Sequence, residues 1–178
     1  ANATAKEIQA KGSDAFAVAM NVSDEAEVEK GIADTMAKYG KIDILVSNAG
    51  IASAAPVEDT TLEVWDKNVS VLATGYFLIA REGYRVMRAQ GQGGSIVFIA
   101  SKNAMAASPN ASAYCTAKAA AVHLARCIAL EGAAHGVKSN LIVPGAVTRM
   151  AEGLDTTAYP PMAPEMVAPA VAWLAHES

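Results

Sequence analysis

Short apolar runs alternate along the chain with longer stretches in which apolar residues recur at helical spacing. The apolar runs are rich in β-branched residues and bounded by glycine or polar residues, which is typical of buried strands. They cover residues 15–20, 42–47, 95–100 and 137–143. The helical stretches cover residues 3–11, the segment between Ser23 and Gly40, 62–89, 112–135, and a last helix from Glu165. This alternation predicts an α/β fold with a doubly wound parallel sheet.

The ends of the second predicted helix are marked by local signals. Ser23 is the expected N-cap, and Asp24, Glu25 and Glu27 place negative charge in the first turn, as the helix dipole favours. Gly40 is the expected stop, since glycine readily adopts the left-handed conformation that ends helices.

Length, composition and charge exclude several classes of protein. With 178 residues, 52% hydrophobic and 18% charged, the chain has the size and composition of one folded domain. A net charge of -4 argues against a nucleic-acid partner or an anionic membrane surface. No apolar run approaches the roughly 20 residues that a membrane-spanning helix needs. We therefore expect no nucleic-acid partner and no membrane partner.

The two cysteines, Cys115 and Cys127, lie on one predicted helix. At helical rise they are separated by about 18 Å along its axis, whereas disulfide partners need Cα atoms within about 7 Å. They cannot pair within the chain, and two reduced thiols favour a cytoplasmic location.

Tyr114 and Lys118 carry the main chemical signal. Four positions apart on a helix, they share one face. An ammonium beside a phenol favours the phenolate, so a tyrosine placed this way can act as a general acid or base on a substrate oxygen. Alone, such a pair is also common as two solvated side chains on a helix surface.

Three strand ends add to this signal. Ser101 follows the strand 95–100, Asn48-Ala49-Gly50 follow the strand 42–47, and Pro144-Gly145 follow the strand 137–143. Open α/β sheets bind ligands at the carboxyl ends of their strands. We therefore expect these residues to meet Tyr114 and Lys118 in one site.

With these motifs in this order, the chain resembles the short-chain dehydrogenase/reductase family over nearly its whole length. The resemblance implies a Rossmann-like fold and hydride transfer between NAD or NADP and a secondary alcohol or ketone. It assigns Tyr114 as the acid/base, Lys118 as the group that tunes Tyr114 and holds the nicotinamide ribose, and Ser101 as the donor to the substrate oxygen.

The resemblance also assigns residues to the cofactor. They follow predicted strands or belong to the catalytic helix: Asn21, Val22, Asn48, Ala49, Gly50, Tyr114, Lys118, Pro144, Gly145 and Val147. Asn48 is expected to be a buried amide that fixes its strand end, and Asn21 stands where the family has an aspartate.

One family residue is missing from the long helix. Leu72 stands where many members have a catalytic asparagine, and the nearby asparagine is Asn68, one turn earlier. Asn68 is the candidate replacement, acting through a water; a surface asparagine is the alternative.

No glycine-rich turn follows a strand in this sequence, although dinucleotide-binding folds open with one. By the family's sheet order, two strands are missing between 15–20 and 42–47, which would leave a gap of roughly 14 Å. The prediction is a single NAD(P)-binding domain, 1–178, that lacks the first strands and the last strand.

Two segments resemble different branches of the family. Residues 74–77, 100–103 and 125–127 resemble dehydrogenase domains fused to sugar-phosphate aldolases, and this resemblance favours NAD over NADP. The tail, 149–150, 164–169 and 173–178, resembles the hydroxyacyl-CoA dehydrogenases instead, so the substrate stays open beyond a small alcohol or ketone.

The sequence also indicates how the chain self-associates and which other functions its fold allows. The helices 62–89 and 112–135 should form the interface of a homodimer or homotetramer. The three histidines are scattered, so we expect no metal site. A non-catalytic oligomerising protein of the same fold and an NAD-dependent epimerase or dehydratase are the rival interpretations.

Overall fold

A parallel sheet forms the centre of the computed structural model, which describes residues 1–148 and 162–176. Its strands within these residues are β1 (Ile44–Ser47), β2 (Gly94–Ile99) and β3 (Val137–Ile142). They lie in the order β1-β2-β3. Ser47 is opposite Phe98, and Ile99 is opposite Ile142, so the three carboxyl ends lie at one edge.

Helices connect the strands as the alternation predicted. They are α1 (Asn2–Ala10), α2 (Glu25–Tyr39), α3 (Leu62–Val69), α4 (Gly75–Gln90), α5 (Ser112–Gly132) and α6 (Ala168–Ala175). Single turns of 3-10 helix lie at Val57–Asp59, Lys102–Ala104, Ala133–His135 and Pro164–Met166. The predicted doubly wound parallel α/β fold is confirmed.

The two faces of β2 are covered by different helices. Ile96 and Phe98 point into a core that also contains Tyr76 of α4 and Ala121 of α5. Successive side chains of a strand point to opposite faces. Ser95 accordingly faces α6, where its hydroxyl donates a 2.8 Å hydrogen bond to the carbonyl of Leu174.

The predicted strand 15–20 is not a strand in the structure. This segment joins no ladder, because the described sheet ends at β1. A cavity of about 350 Å³, lined by Val18 and Met20 as well as by the whole of β1, lies at that edge. A strand is defined by its hydrogen-bonded neighbour, so an apolar run without one stays irregular.

The predicted cap of α2 is also wrong by one residue. Asp24, not Ser23, is the N-cap, and its carboxylate accepts a 3.0 Å hydrogen bond from the Glu27 amide. The Ser23 amide donates instead to the side-chain oxygen of Asn21, which turns the chain into the helix. Gly40 ends the helix in the left-handed conformation, as expected.

The predicted helix 62–89 is interrupted, since a wider π-type turn covers Ser70–Thr74 between α3 and α4. Gly75 follows this turn at a close contact with Val22, where a side chain would lie 2.9 Å from a Val22 methyl group. The other long helix, predicted as 112–135, ends at Gly132 and continues as a 3-10 turn. Short π turns of this kind often occur at functional sites.

Candidate active site

The carboxyl edge of the sheet brings the predicted strand-end residues together. Asn48 follows β1, Ser101 lies two residues after β2, and Pro144 lies two residues after β3. The ladder extends one bond further, because the Ala100 amide donates a 2.8 Å hydrogen bond to the Ile142 carbonyl. Ser101 and Pro144 therefore leave the sheet side by side.

Lys118 lies inside the protein beside this edge. Its residue surface is 4% exposed, so the interpretation of Lys118 as a solvated helix lysine is wrong. The Nζ atom donates hydrogen bonds of 2.8 Å to the Tyr76 hydroxyl and to the Ile99 carbonyl. The amine of α5 is thereby held against both α4 and the last residue of β2.

The electrostatics of this cluster follow from burial. Desolvation lowers the pKa of Lys118 to about 8, because a buried ammonium loses its hydration. Burial first, and then the charge of Tyr114, raise the pKa of Tyr76 above its ordinary value. The described ion pairs include no carboxylate partner for Lys118. Neutral oxygens therefore hold an amine that can change its protonation near physiological pH.

Tyr114 lies in the first turn of α5, half-buried and one turn before Lys118. A parallel bridge between Ala55 and Ala111 ties the start of this helix to the segment that follows β1. The hydrogen bonds of Lys118 run to Tyr76 and Ile99 rather than to the Tyr114 hydroxyl. Tyr114 thus borders the carboxyl edge without being locked to Lys118.

Ser101 caps the 3-10 turn Lys102–Ala104. Its Oγ accepts a 3.2 Å hydrogen bond from the Asn103 amide. That contact uses Ser101 as an acceptor, so the hydroxyl proton can still be donated to a substrate oxygen. The next polar contact, from the Ser108 hydroxyl to the Asn103 side chain at 3.0 Å, stabilises the loop that leads to α5.

Asn68 is buried, so the alternative of a surface asparagine is wrong. Its Nδ2 atom donates 2.8 Å hydrogen bonds to the Ser53 hydroxyl and to the Val64 carbonyl. The amide oxygen is buried and has no partner among the described residues. Leu72, one turn later, is fully buried and offers no polar atom. Asn68 therefore ties α3 to the segment after β1, and its amide oxygen can still accept a hydrogen bond.

Asn48 is exposed, and the prediction of a buried amide there is wrong. The reason is its position, since β1 is the edge strand of the described sheet and borders the 350 Å³ cavity. The same cavity contacts Val22 and Ala49, so it joins three of the residues assigned to the cofactor. Gly50 follows directly, with only ordinary contacts around the space that a side chain would take.

The remaining predicted cofactor residues lie at the ends of their elements. Asn21 is exposed, and its backbone N–H donates a 2.7 Å hydrogen bond to the Glu27 carboxylate. Gly145 lies beside the Met162 sulfur, and the Val147 amide donates a 2.8 Å hydrogen bond to the Met162 carbonyl. Pro144 is half-buried. Residues 149–161, which follow this segment, lie outside the described residues.

Tyr76 is the residue of this site that sequence reasoning missed. It lies four positions after Leu72, one turn further along the same helical stretch. A tyrosine in an apolar helix face needs a partner for its hydroxyl when buried, and that requirement was the available signal.

The described part of the chain offers neither a metal site nor a membrane-spanning helix. It contains no group of three or more histidine, cysteine or acidic side chains arranged to hold a metal ion. None of its helices is both long and apolar enough to cross a membrane.

Comparison with known proteins gives the family. The family model for short chain dehydrogenases matches residues 1–158. The uncharacterized oxidoreductase YuxG of Bacillus subtilis (strain 168) is 48% identical over 133 residues, which is 75% of this chain and 19% of that protein. The sorbitol dehydrogenase of Cereibacter sphaeroides is 35% identical over 147 residues, 83% of this chain and 56% of that protein.

A solved structure agrees with these sequence relatives. The gluconate 5-dehydrogenase of Burkholderia cenocepacia J2315, in complex with NADP and tartrate, superposes with a TM-score of 0.92 at 27% identity. The match covers 99% of this chain and 74% of that one. The chain spans about a fifth and about half of the two curated relatives. With the family model matched over most of its length and the fold superposed, the chain belongs to the short-chain dehydrogenase family.

Proposed function

We propose that the protein is an NAD(P)-dependent oxidoreductase that interconverts a secondary alcohol and a ketone. One observation carries this proposal most directly: Lys118 is buried and fixed at the carboxyl edge of the sheet, one turn from Tyr114. A buried amine without a carboxylate partner is costly to keep in a fold. Lys118 lies beside Tyr114 and the strand that leads to Ser101. This position supports a catalytic role for the buried amine.

In this mechanism the residues of the chain move and stabilise the proton. Ser101 donates a hydrogen bond to the substrate oxygen and orients it. Tyr114 accepts the hydroxyl proton as the alcohol is oxidised, and returns it when the ketone is reduced. The positive charge of Lys118 stabilises the phenolate form of Tyr114. The bound nicotinamide supplies the hydride acceptor or donor.

The residues at the edge fit the nicotinamide half of the cofactor. An ammonium has three N–H donors, and the structure assigns two of those of Lys118, to Tyr76 and Ile99. The third suits a ribose hydroxyl. Pro144, Gly145 and Val147 would line the nicotinamide side, and Gly50, which has no side chain, would let a flat ligand approach closely.

The other end of the cofactor would lie toward residues 21–22 and Asn48. The cavity beside β1 is lined by Val22, Asn48 and Ala49. Asn21 is exposed, and its side-chain amide can bond to an adenine. For NAD against NADP, the resemblance to aldolase-fused dehydrogenases supports NAD. The gluconate 5-dehydrogenase that superposes on this chain is in complex with NADP. Both cofactors therefore belong in the test.

We further propose that this chain corresponds to the dehydrogenase part of a larger bifunctional protein that also carries an aldolase. The resembling segments 74–77, 100–103 and 125–127 support this. The relative at 48% identity matches over only 19% of its own length, so that relative is several times longer than the matched stretch. Sugar-derived alcohols are then the first substrate class to test.

The proposal includes self-association through α3, α4 and α5. Exposed apolar side chains on these helices support it: Leu62, Phe77 and Leu130. Val122 and Ile128 belong to one of the helices expected at the interface, but both are buried within the chain itself. The interface would therefore use the outer residues of α4 and α5.

The direct test is cofactor reduction. The purified protein is mixed with NAD or NADP and a panel of secondary alcohols that includes sorbitol, gluconate and acetoin, and reduced nicotinamide is followed by its absorbance. Reduction that depends on both alcohol and cofactor supports the proposal. A protein that self-associates but neither binds nor reduces either cofactor would support the non-catalytic alternative, to which the buried Leu72 points.

A further inference from the structure

The Tyr76 hydroxyl lies at the centre of a closed group of three hydrogen-bonding atoms. It donates a 2.8 Å hydrogen bond to the Ile99 carbonyl and accepts one of 2.8 Å from Lys118 Nζ. Lys118 also bonds directly to the same carbonyl at 2.8 Å. One atom from α4 and one from the end of β2 therefore fix the position of the amine of α5.

The Tyr76 ring lies beside the same amine in the core. Lys118 Nζ is at the hydroxyl end of the ring, 4.8 Å from its centroid. The ring also packs against Phe98, with centroids 6.0 Å apart. The hydroxyl of Tyr76 thus favours the charged form of Lys118, against the desolvation that disfavours it.

We propose that Tyr76 is the positioning residue for Lys118: its hydroxyl and the Ile99 carbonyl hold the ammonium at the sheet edge beside Tyr114, in a helix where Leu72 supplies no polar group. This inference rests on the proposed function, because it names the group that sets the position and charge of the catalytic lysine. Tyr76 touches neither substrate nor cofactor in this assignment, and it acts only through Lys118.

The protonation states around Lys118 support this role. Burial and the nearby charge of Tyr114 raise the pKa of Tyr76, so its hydroxyl stays neutral while the amine titrates. Among the described residues, Tyr76 from α4 and the Ile99 carbonyl from β2 bond to Lys118, and Tyr114 lies one turn earlier on its own helix. A neutral hydroxyl both accepts from Lys118 and donates to Ile99, which a phenylalanine ring cannot do.

The substitution Tyr76→Phe distinguishes the effect of the hydroxyl from that of the ring. The variant keeps the ring and its packing against Phe98, and it removes one acceptor from a buried ammonium. Hydrogen bonding to the charged form favours that form, so its loss should lower the pKa of Lys118. Tyr84→Phe is the matched control, because Tyr84 lies on the same helix and donates to a carbonyl, that of Glu131 at 3.1 Å.

The experiment titrates Lys118 by NMR in protein labelled with carbon-13 at the lysine side chains, with Lys118→Met identifying its signal. We expect a midpoint about one pH unit lower in Tyr76→Phe than in the wild type, and an unchanged midpoint in Tyr84→Phe. An unchanged midpoint in Tyr76→Phe would overturn the proposal. If Tyr76→Phe does not fold, a fluorinated tyrosine incorporated at position 76 takes its place, because it keeps the shape of the side chain and weakens the hydroxyl as an acceptor: a lower Lys118 midpoint would support the proposal, and an unchanged one would overturn it.

Kinetics of the same variants provide the second measurement. If Lys118 loses its charge more readily, the pH profile of alcohol oxidation should narrow and kcat should fall about tenfold in Tyr76→Phe, with little change in KM for the alcohol. A kcat and pH profile equal to those of Tyr84→Phe would contradict the role in catalysis. The NMR titration needs neither substrate nor cofactor, so it tests the positioning of Lys118 even if the proposed activity is absent.

Discussion

Lys118 on α5 and Tyr76 on α4 are joined by a 2.8 Å hydrogen bond between two helices that are far apart in sequence. Both side chains reach the Ile99 carbonyl, so the bond lies directly under the carboxyl edge of the sheet. A buried charge held only by neutral oxygens makes the stability of the fold, and not only its activity, depend on pH.

The first prediction concerns unfolding free energy. Below about pH 8 the Lys118 amine is charged in both the folded and the unfolded chain. Between about pH 8 and the ordinary 10.5, the folded chain has lost that proton and the unfolded chain still binds it, so stability rises with pH. Tyr76 opposes this only above its ordinary pKa of 10, where the unfolded chain alone ionises.

Urea unfolding at about pH 7 and pH 9.5 measures this effect. The contribution of Lys118 should increase the unfolding free energy by roughly 1–2 kcal/mol across that window. Lys118→Met should lack this increase, whereas Lys6→Met, at an exposed position of α1, should keep it. Equal pH dependence in the two variants would contradict the burial of a titrating amine.

The second prediction concerns the pH profile of the reaction. Lys118→Met removes the positive charge beside Tyr114, which disfavours the phenolate, so the acidic limb of alcohol oxidation should move to higher pH. Cofactor affinity should fall as well, because the N–H assigned to the ribose is lost. Lys6→Met is the control. If Lys118→Met has the same pH profile and the same cofactor dissociation constant as this control, Lys118 has a structural role only.

The third prediction concerns the contact between α5 and β3. A side chain at Gly132 would collide with the backbone carbonyl of Val137, which cannot move without disturbing the ladder. Gly132→Ala should therefore lower the unfolding free energy by about 2 kcal/mol, measured by urea unfolding. Gly50→Ala is the control, since its new carbon would lie 3.7 Å from its nearest neighbours and should leave stability unchanged within about 0.5 kcal/mol.

The fourth prediction concerns self-association. Light scattering on the protein at micromolar concentration should report a dimer or tetramer. Leu130 is 81% exposed on α5 and Phe77 is half-exposed on α4, so Phe77→Glu with Leu130→Glu should dissociate it. Ile8→Glu on α1 should not. A monomeric wild type, or a double variant that stays associated, would contradict the proposed interface.

The fold was largely predictable from residue patterns. The strands β1, β2 and β3 are apolar runs that pair with one another in the described sheet. The hydrophobic pattern identifies such runs well. The run 15–20 has the same pattern but no hydrogen-bonded neighbour, and no local signal reports a missing neighbour. The π-type turn at 70–74 was not predicted either. It lies where Val22 approaches Gly75 from outside the helix, and this contact is not visible in the local sequence.

The site was predictable only where chemistry is local. The spacing of Tyr114 and Lys118 on one helix is readable from sequence, and so is the position of Ser101 after a strand. The role of Tyr76 depends on the distance between α4 and α5, and the exposure of Asn48 depends on what covers β1. Both are properties of tertiary packing, and sequence spacing does not report them.

The most direct test of the central claim is the activity of Tyr114→Phe. This variant removes the proton-carrying hydroxyl and keeps the ring, so the melting temperature should match that of the wild type. Removal of a general acid/base should lower kcat for alcohol oxidation by at least ~10²-fold, while Tyr84→Phe should retain full activity. Wild-type activity in folded Tyr114→Phe would contradict the mechanism.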